Sequence, residues 1–538
     1  MNLNRLLPLC GLLAGAWLLP ACQQYSSENK SVAVEATESS VDLAAPQTAD
    51  TALEARENYA VIHENDFLSA QRTPLSTFAI DVDRASYSNV RRFLTQDRQL
   101  PPPDAVRIEE LVNYFHYEYP QPASAPASLN AEVATCPWNP QHQLVLVGVQ
   151  GREVPTAQLP PANLVFLLDV SGSMDEPNKL PLLKESLREL VNKALRPQDY
   201  VSIVVYAGAA GLVLPPTPGS DPETILEALD ELQAGGSTAG GQGLRLAYEV
   251  ARQHFRPNGN NRIILATDGD FNVGEQSDAD MERLITKERA SGVFLSVLGF
   301  GSGNYQDSKM ELLADKGNGN YAYIDNLSEA QRVLVQQFGG TLFTLAKDVK
   351  VQVEFNPALV REYRLIGYEN RLLADQDFND DRKDAGELGT GQQVTALYEV
   401  VPTGAPGATN ATIDPLKYQT ASTSGAGKAS SEMLTVKLRY QEPQGSASRL
   451  LTLPVRGVRY NEPIAKASDN LRFAAAVAQF GLLLRGSQHR GSATWESTGT
   501  LASSVAGPDE DGSRAEFKEL VRQATSLSSE QASTQRRD

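Results

Sequence analysis

Three clusters of oxygen-bearing side chains stand out by type and spacing. The apolar run Asn163–Leu168 leads straight into Asp169-Val170-Ser171-Gly172-Ser173-Met174, with a carboxylate and two hydroxyls at alternate positions. A second apolar run, Arg262–Thr267, leads into Asp268. Between them, Gly235-Gly236-Ser237-Thr238 carries hydroxyls in a glycine-rich stretch, where backbone can pass close to a site. Hydroxyls and carboxylates are hard donors that suit Mg²⁺, Mn²⁺ or Ca²⁺, and no Cys or His stands beside them to favour a softer metal. The candidate metal ligands are therefore Asp169, Ser171, Ser173, Thr238 and Asp268, with Asp270 at the rim of the site. Two carboxylates against one dication leave a roughly neutral site. With an open coordination position, such a site can accept an acidic residue from a protein partner. The competing reading, that Asp169 and Ser171 cap the helix Lys179–Leu195, fails because that helix starts too far downstream.

The elements around these clusters must place them at one edge. From about Asn163 to Gly339 strand-like and helix-like runs alternate. Near-continuous Val/Ile/Leu strands at Asn163–Leu168, Val201–Tyr206, Arg262–Thr267, Phe294–Gly299 and Tyr321–Ile324 are separated by helices at Leu180–Leu195, Ile225–Leu232, Leu244–His254, Ala279–Ser291, Met310–Asp315 and Glu329–Phe338. Such alternation predicts an α/β domain over 162–340, a doubly wound parallel sheet covered on both faces. Asp169 and Asp268 then lie just past the carboxyl ends of their strands, where open α/β sheets bind ligands.

The flanking regions read differently. Residues 59–161 predict a strand at Thr77–Ile80, helices at Ala85–Leu94 and, from the spacing of Val106, Ile108, Leu111, Val112 and Phe115, around Val106–Phe115, and strands at Asn130–Thr135 and Gln143–Gln150. Residues 341–460 return to β: Val349, Val351, Val353 and Phe355 alternate, then Val394–Val401, Met433–Tyr440 and Leu450–Val455 follow. A Gly/Ala/Ser/Thr-rich segment over 403–431 predicts a mobile loop. Strands on both sides of the α/β block predict a β-sandwich-like domain into which that block is inserted. Two helices, Asp469–Arg485 and Arg514–Thr525, close the chain within 461–527, and 528–538 reads as a polar tail.

The first residues read as a targeting segment. One positive charge in Met1–Arg5 precedes an apolar run, Leu6–Leu19, too short to span a bilayer comfortably. It ends Leu19-Pro20-Ala21-Cys22, which resembles the bacterial lipobox, so 1–21 is expected to be removed and Cys22 lipidated. An ordinary secretory signal with a chance cysteine is the alternative. Gln23 follows the cysteine where Asp would mark inner-membrane retention, so the expectation leans to the outer membrane, the body facing the periplasm. Residues 22–58, rich in small, polar and acidic residues, read as a disordered tether.

At the oxygen clusters the resemblance to a known site is close. Asp-x-Ser-x-Ser, then Thr238, then Asp268 in Thr267-Asp268-Gly269, is similar to the metal-ion-dependent adhesion site of von Willebrand factor A (VWA) domains. The resemblance implies that the first three residues and the threonine contact the metal and that the later aspartate acts through water. It extends beyond the site. Ser76-Thr77-Phe78-Ala79-Ile80-Asp81-Val82-Asp83, Arg107-Ile108-Glu109-Glu110, Gly389-Thr390-Gly391-Gln392 and Phe473-Ala474-Ala475-Ala476 resemble the bacterial YfbK-like VWA lipoproteins. That likeness runs from about Leu75 to Thr525 and implies fold and metal site, while leaving the partner and the oligomeric state unnamed.

Several other signals point elsewhere and are weaker. A net charge of −18 speaks against nucleic acid and anionic membrane surfaces as partners. Ile80-Asp81-Val82-Asp83 resembles the nucleophile motif of haloacid-dehalogenase-type phosphatases, and a metal-assisted hydrolase using Asp81/Asp83 or the VWA metal is the enzymatic alternative. That reading needs a downstream lysine and acidic pair that cannot be placed, and the simpler expectation is that Asp83 caps the helix Ala85–Leu94. Asp268-x-Asp270-x-Asn272 fails as an EF-hand because its glycine comes late, at Gly274, and Ala279 stands where Glu is required. Tyr114, Phe115, Tyr117 and Tyr119 read as packing, as do Cys136 and Trp138, with no disulfide partner for Cys136. The expectation is a binding protein rather than an enzyme; a structural scaffold with an unused site is the remaining alternative.

Overall fold

The computed structural model describes residues 57–534 apart from 81–82, 208, 237–239, 258, 270–277, 338–339, 341–342, 382, 384, 406–430, 444, 446, 458–461, 508 and 510. The candidate residues Cys22, Asp81, Thr238 and Asp270, and most of the 403–431 segment, lie outside the described residues.

The chain opens with two strands, β1 (Leu68–Ser69) and β2 (Leu75–Ala79), and two helices, α1 (Ala85–Thr95) and α2 (Ile108–Asn113). The strands β3 (Ala127–Thr135) and β4 (Gln143–Gly151) follow. The α/β block then runs β5 (Ala162–Asp169), α3 (Leu180–Lys193), β6 (Tyr200–Tyr206), β7 (Ala210–Pro218), α4 (Pro222–Asp230), α5 (Gly240–Gln253), β8 (Asn260–Thr267), α6 (Asp278–Ala290), β9 (Val293–Phe300), α7 (Asp307–Lys316), β10 (Tyr321–Ile324) and α8 (Leu327–Gln331). After α8 the helix widens into a π turn over Arg332–Gln336. The remaining strands are β11 (Thr344–Phe355), β12 (Val360–Ile366), β13 (Leu372–Leu373), β14 (Leu388–Gly389), β15 (Gln393–Pro402), β16 (Glu432–Gln441) and β17 (Ser448–Arg456). Three helices end the chain: α9 (Asp469–Arg485), α10 (Trp495–Ser503) and α11 (Ser513–Thr534).

The block's sheet has the order β10-β9-β8-β5-β6-β7. Alternate residues of its central strand feed two cores. Leu164, Phe166 and Leu168 pack with α3 and α4. Val165 and Leu167 pack with α5, α6 and α7. Neighbours pair parallel except β6 and β7, which pair antiparallel. The sheet is therefore mixed rather than wholly parallel. Strand β7 was not expected because Pro215, Pro216 and Pro218 break its pattern; as an edge strand it tolerates them.

Strands from before and after the block interleave in two antiparallel sheets, β1-β12-β15-β4-β3 and β13-β2-β11-β16-β17. Strand β2 pairs with β11, and β4 with β15. Their inner faces share one core, with Val145, Val147 and Val149 of β4 against Val351 and Val353 of β11 and Val436 and Leu438 of β16. The outer face of the first sheet, through Leu144, Leu146 and Leu397, is covered by α1, α2 and the closing helices. Tyr114, Phe115, Tyr117 and Tyr119 are buried in that helical core, as packing requires. Cys136 is buried and has no disulfide partner among the described residues.

Three expectations are corrected here. Helix α10 stands between the two closing helices that were foreseen; its Thr494–Ser497 capping box substitutes for a strong apolar stripe. The segment read as a polar tail continues α11 as far as Thr534. Asp83 does not cap α1, whose N-cap is Arg84 without a side-chain bond. Instead Asp83 accepts the Tyr321 N–H at 2.7 Å and pairs with Arg371 at 3.1 Å. Among the described residues no helix is long and apolar enough to cross a membrane.

Candidate metal centre

Strand β5 ends at Asp169, and its register places Asp169 opposite Tyr206 at the end of β6. Asp169 is fully buried and held at both oxygens. Oδ1 accepts the Ser171 N–H at 2.9 Å. Oδ2 accepts the Tyr206 hydroxyl at 3.0 Å and the Thr267 hydroxyl at 3.1 Å. The chain turns sharply after Asp169 and brings Ser171 Oγ and Ser173 Oγ to 3.1 Å from each other. Burial pushes the Asp169 carboxyl above the usual carboxylate range; hydrogen bonds from Ser171 pull it back and the charge of Asp268 adds to the rise.

Asp268 lies just past β8, the strand paired parallel to β5 on its other side. It is buried, and its Oδ2 is 3.2 Å from Lys179 Nζ, which also donates to the Ser173 carbonyl at 2.9 Å. Gly269 follows with φ +101, and a Cβ there would meet the Gln306 nitrogen at 2.6 Å. Glycine is thus required where the chain leaves Asp268. The glycine-rich stretch is tied to the same turn: Gly172 N–H donates to the Gly236 carbonyl at 3.1 Å and Gly235 N–H to the Val170 carbonyl at 2.8 Å. That binds the residues directly before Ser237 and Thr238 onto the Asp169–Ser173 loop.

The structure therefore brings Asp169, Ser171, Ser173 and Asp268 to one end of two adjacent parallel strands. The floor is buried and Ser173 is exposed, so the cluster opens to the surface. Its donor set, two carboxylates and two hydroxyls, fits a hard divalent cation, and these four side chains would hold it. Sequence reasoning missed the supporting shell. Tyr206 could have been found from strand register and Thr267 from its place beside Asp268. Lys179 gave no signal beyond being a lysine at the start of an apolar helix.

A second group of carboxylates, Asp83, Glu110 and Glu311, brings oxygens within 4.8 Å of one another. Arginines already neutralise it. Arg107 bonds Glu110 and lies 3.7 Å from Glu311, while Arg371 lies 3.1 Å from Asp83 and 3.5 Å from Glu311. Arg107 also pairs with Asp307 at 2.6 Å. This network fastens the helices of the N-terminal region to the α/β block and commits Asp83 to structure, which removes support from a hydrolase built on it.

Family models match most of the described chain. The von Willebrand factor type A domain model matches residues 163–337, a von Willebrand factor model residues 53–146, and the model of the C-terminal part of uncharacterized protein YfbK residues 340–527. The chain is 45% identical over 471 residues to uncharacterized protein YfbK of Escherichia coli (strain K12), covering 86% of this chain and 80% of that protein. It is 31% identical over 178 residues to uncharacterized protein sll0103 of Synechocystis, covering 33% of this chain and 41% of that one. Among solved structures it is similar to a von Willebrand factor type A protein from Catenulispora acidiphila, with 17% identity, a TM-score of 0.39, and coverage of 75% of this chain and 99% of that one. The central block is a VWA domain, and the chain as a whole belongs to the YfbK family.

Proposed function

We propose that this protein captures a protein partner through a divalent cation held by Asp169, Ser171, Ser173, Thr238 and Asp268, while a lipid on Cys22 anchors it in the bacterial envelope, with the outer membrane favoured. VWA domains generally mediate protein interactions and commonly bind a divalent metal. The observation that carries the reading is the convergence of the paired Ser171 and Ser173 hydroxyls with Asp169 and Asp268 at an edge that opens at Ser173. A bound Mg²⁺, Mn²⁺ or Ca²⁺ supplies a Lewis-acid position for an acidic side chain from the partner. The chain's own residues do the rest. Tyr206, Thr267 and the Ser171 N–H fix the Asp169 carboxylate in one orientation. Lys179 holds Asp268 against the Ser173 backbone.

Affinity capture from envelope extracts tests this. Partner recovery is expected in Mg²⁺ and not in EDTA, and is expected to be absent for Asp169→Ala. Recovery indifferent to both would refute the reading. Metabolic lipid labelling of the full-length chain tests the anchor: label is expected on the wild type and absent from Cys22→Ser.

A further inference from the structure

A cavity of about 320 Å³ lies where four parts of the chain meet. Its walls come from the start of α1 and the end of α2, from β10 with the π turn that closes the VWA domain, from the turn before β15, and from the segment ahead of α11. Tyr114 and Phe115 contribute aromatic surface. Cavities of this size with an apolar part and a few convergent polar groups are the usual form of small-ligand sites. Single π turns inside helices are likewise frequent at functional positions.

The polar groups are unequally committed. Arg332 is engaged: it pairs with Asp511 at 2.6 Å, donates to the Tyr114 carbonyl at 3.2 Å and lies 4.2 Å over the Tyr114 ring. Arg91, Arg92, Arg107 and Arg371 nearby each hold at least one carboxylate, and the buried Arg514 donates to the His116 carbonyl. Arg84 is the exception. Among the described residues its guanidinium makes no hydrogen bond and no ion pair, although it is partly buried and lines the cavity. Burial and the like charge of Arg332 pull it down to about 10, against the opposing charges of Glu329 and Asp83. Asn320 and Gln336, also in the lining, have side-chain amides that make no hydrogen bond among the described residues.

A guanidinium has five donors and no acceptor, and those of Arg84 are left open toward the cavity, with no hydrogen-bond acceptor among the described residues. Asp83, its acidic neighbour in sequence, is turned away to Tyr321 and Arg371. The unmet need is for an anion small enough to enter the cavity, and the shape of the guanidinium favours an oxyanion that takes two parallel N–H bonds. We propose that this junction cavity is a binding site for a small oxyanion, a carboxylate or a phosphate, held by Arg84 with Asn320 and Gln336 beside it. The site is separate from the metal centre, and a ligand there would bridge the VWA domain to the regions on both sides of it.

Calorimetric titration of the full-length chain in EDTA, with inorganic phosphate and with succinate as separate probes and sodium chloride as the ionic-strength control, tests the proposal. Saturable binding of one of the two oxyanions is expected, with a rise in the melting temperature. Which probe binds distinguishes the phosphate from the carboxylate source. Arg84→Gln is expected to weaken binding about tenfold or more, and Arg84→Lys by less, because it keeps the charge and loses the fork. Gln336→Ala, at an exposed position, is expected to weaken binding severalfold and serves if Arg84→Gln does not fold. Asp169→Ala is expected to bind the oxyanion as the wild type does, so this site and the metal reading fail independently. Failure of both probes to bind saturably, or binding unchanged in the Arg84 and Gln336 variants, would overturn it.

Discussion

Lys179 Nζ lies 3.2 Å from Asp268 Oδ2, so a fixed cation from the head of α3 stands inside the oxygen cluster proposed to hold a metal. Both side chains are buried. The pair keeps the second carboxylate in place without a metal, and the same positive charge opposes a dication arriving beside it. Lys179→Met is expected to tighten Mg²⁺ binding by about tenfold, since two like charges are no longer held together in a site of reduced dielectric. The same variant is expected to lose roughly 2–4 kcal/mol of stability in EDTA, because the buried Asp268 carboxylate loses the cation that faces it. Titration calorimetry and denaturant melts, read on one preparation, check both signs.

Gly269 sets how the chain leaves Asp268. At φ +101, with the Gln306 backbone 2.6 Å from any Cβ, neither strain nor contact can be relieved by a rotamer change. Gly269→Ala is expected to cost about 2–4 kcal/mol and to weaken metal binding through the displaced aspartate. A wild-type melting temperature in the variant would contradict this.

Glu109 gives the fold a pH dependence. Burial, with the charge of Glu369 adding to it, pushes its carboxyl up to about 7, against the partial relief from Arg485. Its Oε2 has no hydrogen-bond partner among the described residues. A carboxyl whose folded value is raised binds its proton more tightly in the native state. Its contribution is therefore complete below the unfolded value, near 4.5, and is lost as pH climbs through about 7. Stability is expected to fall across that window by up to roughly 3 kcal/mol. Glu109→Gln is expected to flatten the fall. Melts between pH 5 and 8 on the two proteins decide it, and an identical slope in both would count against the assignment.

Much of this architecture was legible in the sequence because burial on both faces leaves unbroken apolar strands, as in β5 and β8, and these ended on Asp169 and Asp268. What was missed lacked a periodic signal. Strand β7 carries three prolines that only an edge position tolerates. Helix α10 is stabilised by its cap more than by an apolar stripe. The last turns of α11 are polar and exposed, so no buried face announced them. Side-chain direction was the harder loss. Asp83 looked like a cap and instead bridges Tyr321 and Arg371, residues more than two hundred positions away. Lys179 looked like an ordinary helix start and instead reaches the candidate centre. Such long-range partners depend on how the sheets and the VWA domain meet, which local patterning does not encode.

Partner capture as proposed depends on a divalent cation held by the loop after β5. The most direct test of this binding is calorimetric titration of metal-stripped protein with Mg²⁺ and Mn²⁺, wild type against Asp169→Ala. One saturable site in the wild type, lost or weakened at least about a hundredfold in a variant that still melts cooperatively, is the predicted result. Equal binding by the two proteins, or none by the wild type, would contradict the account.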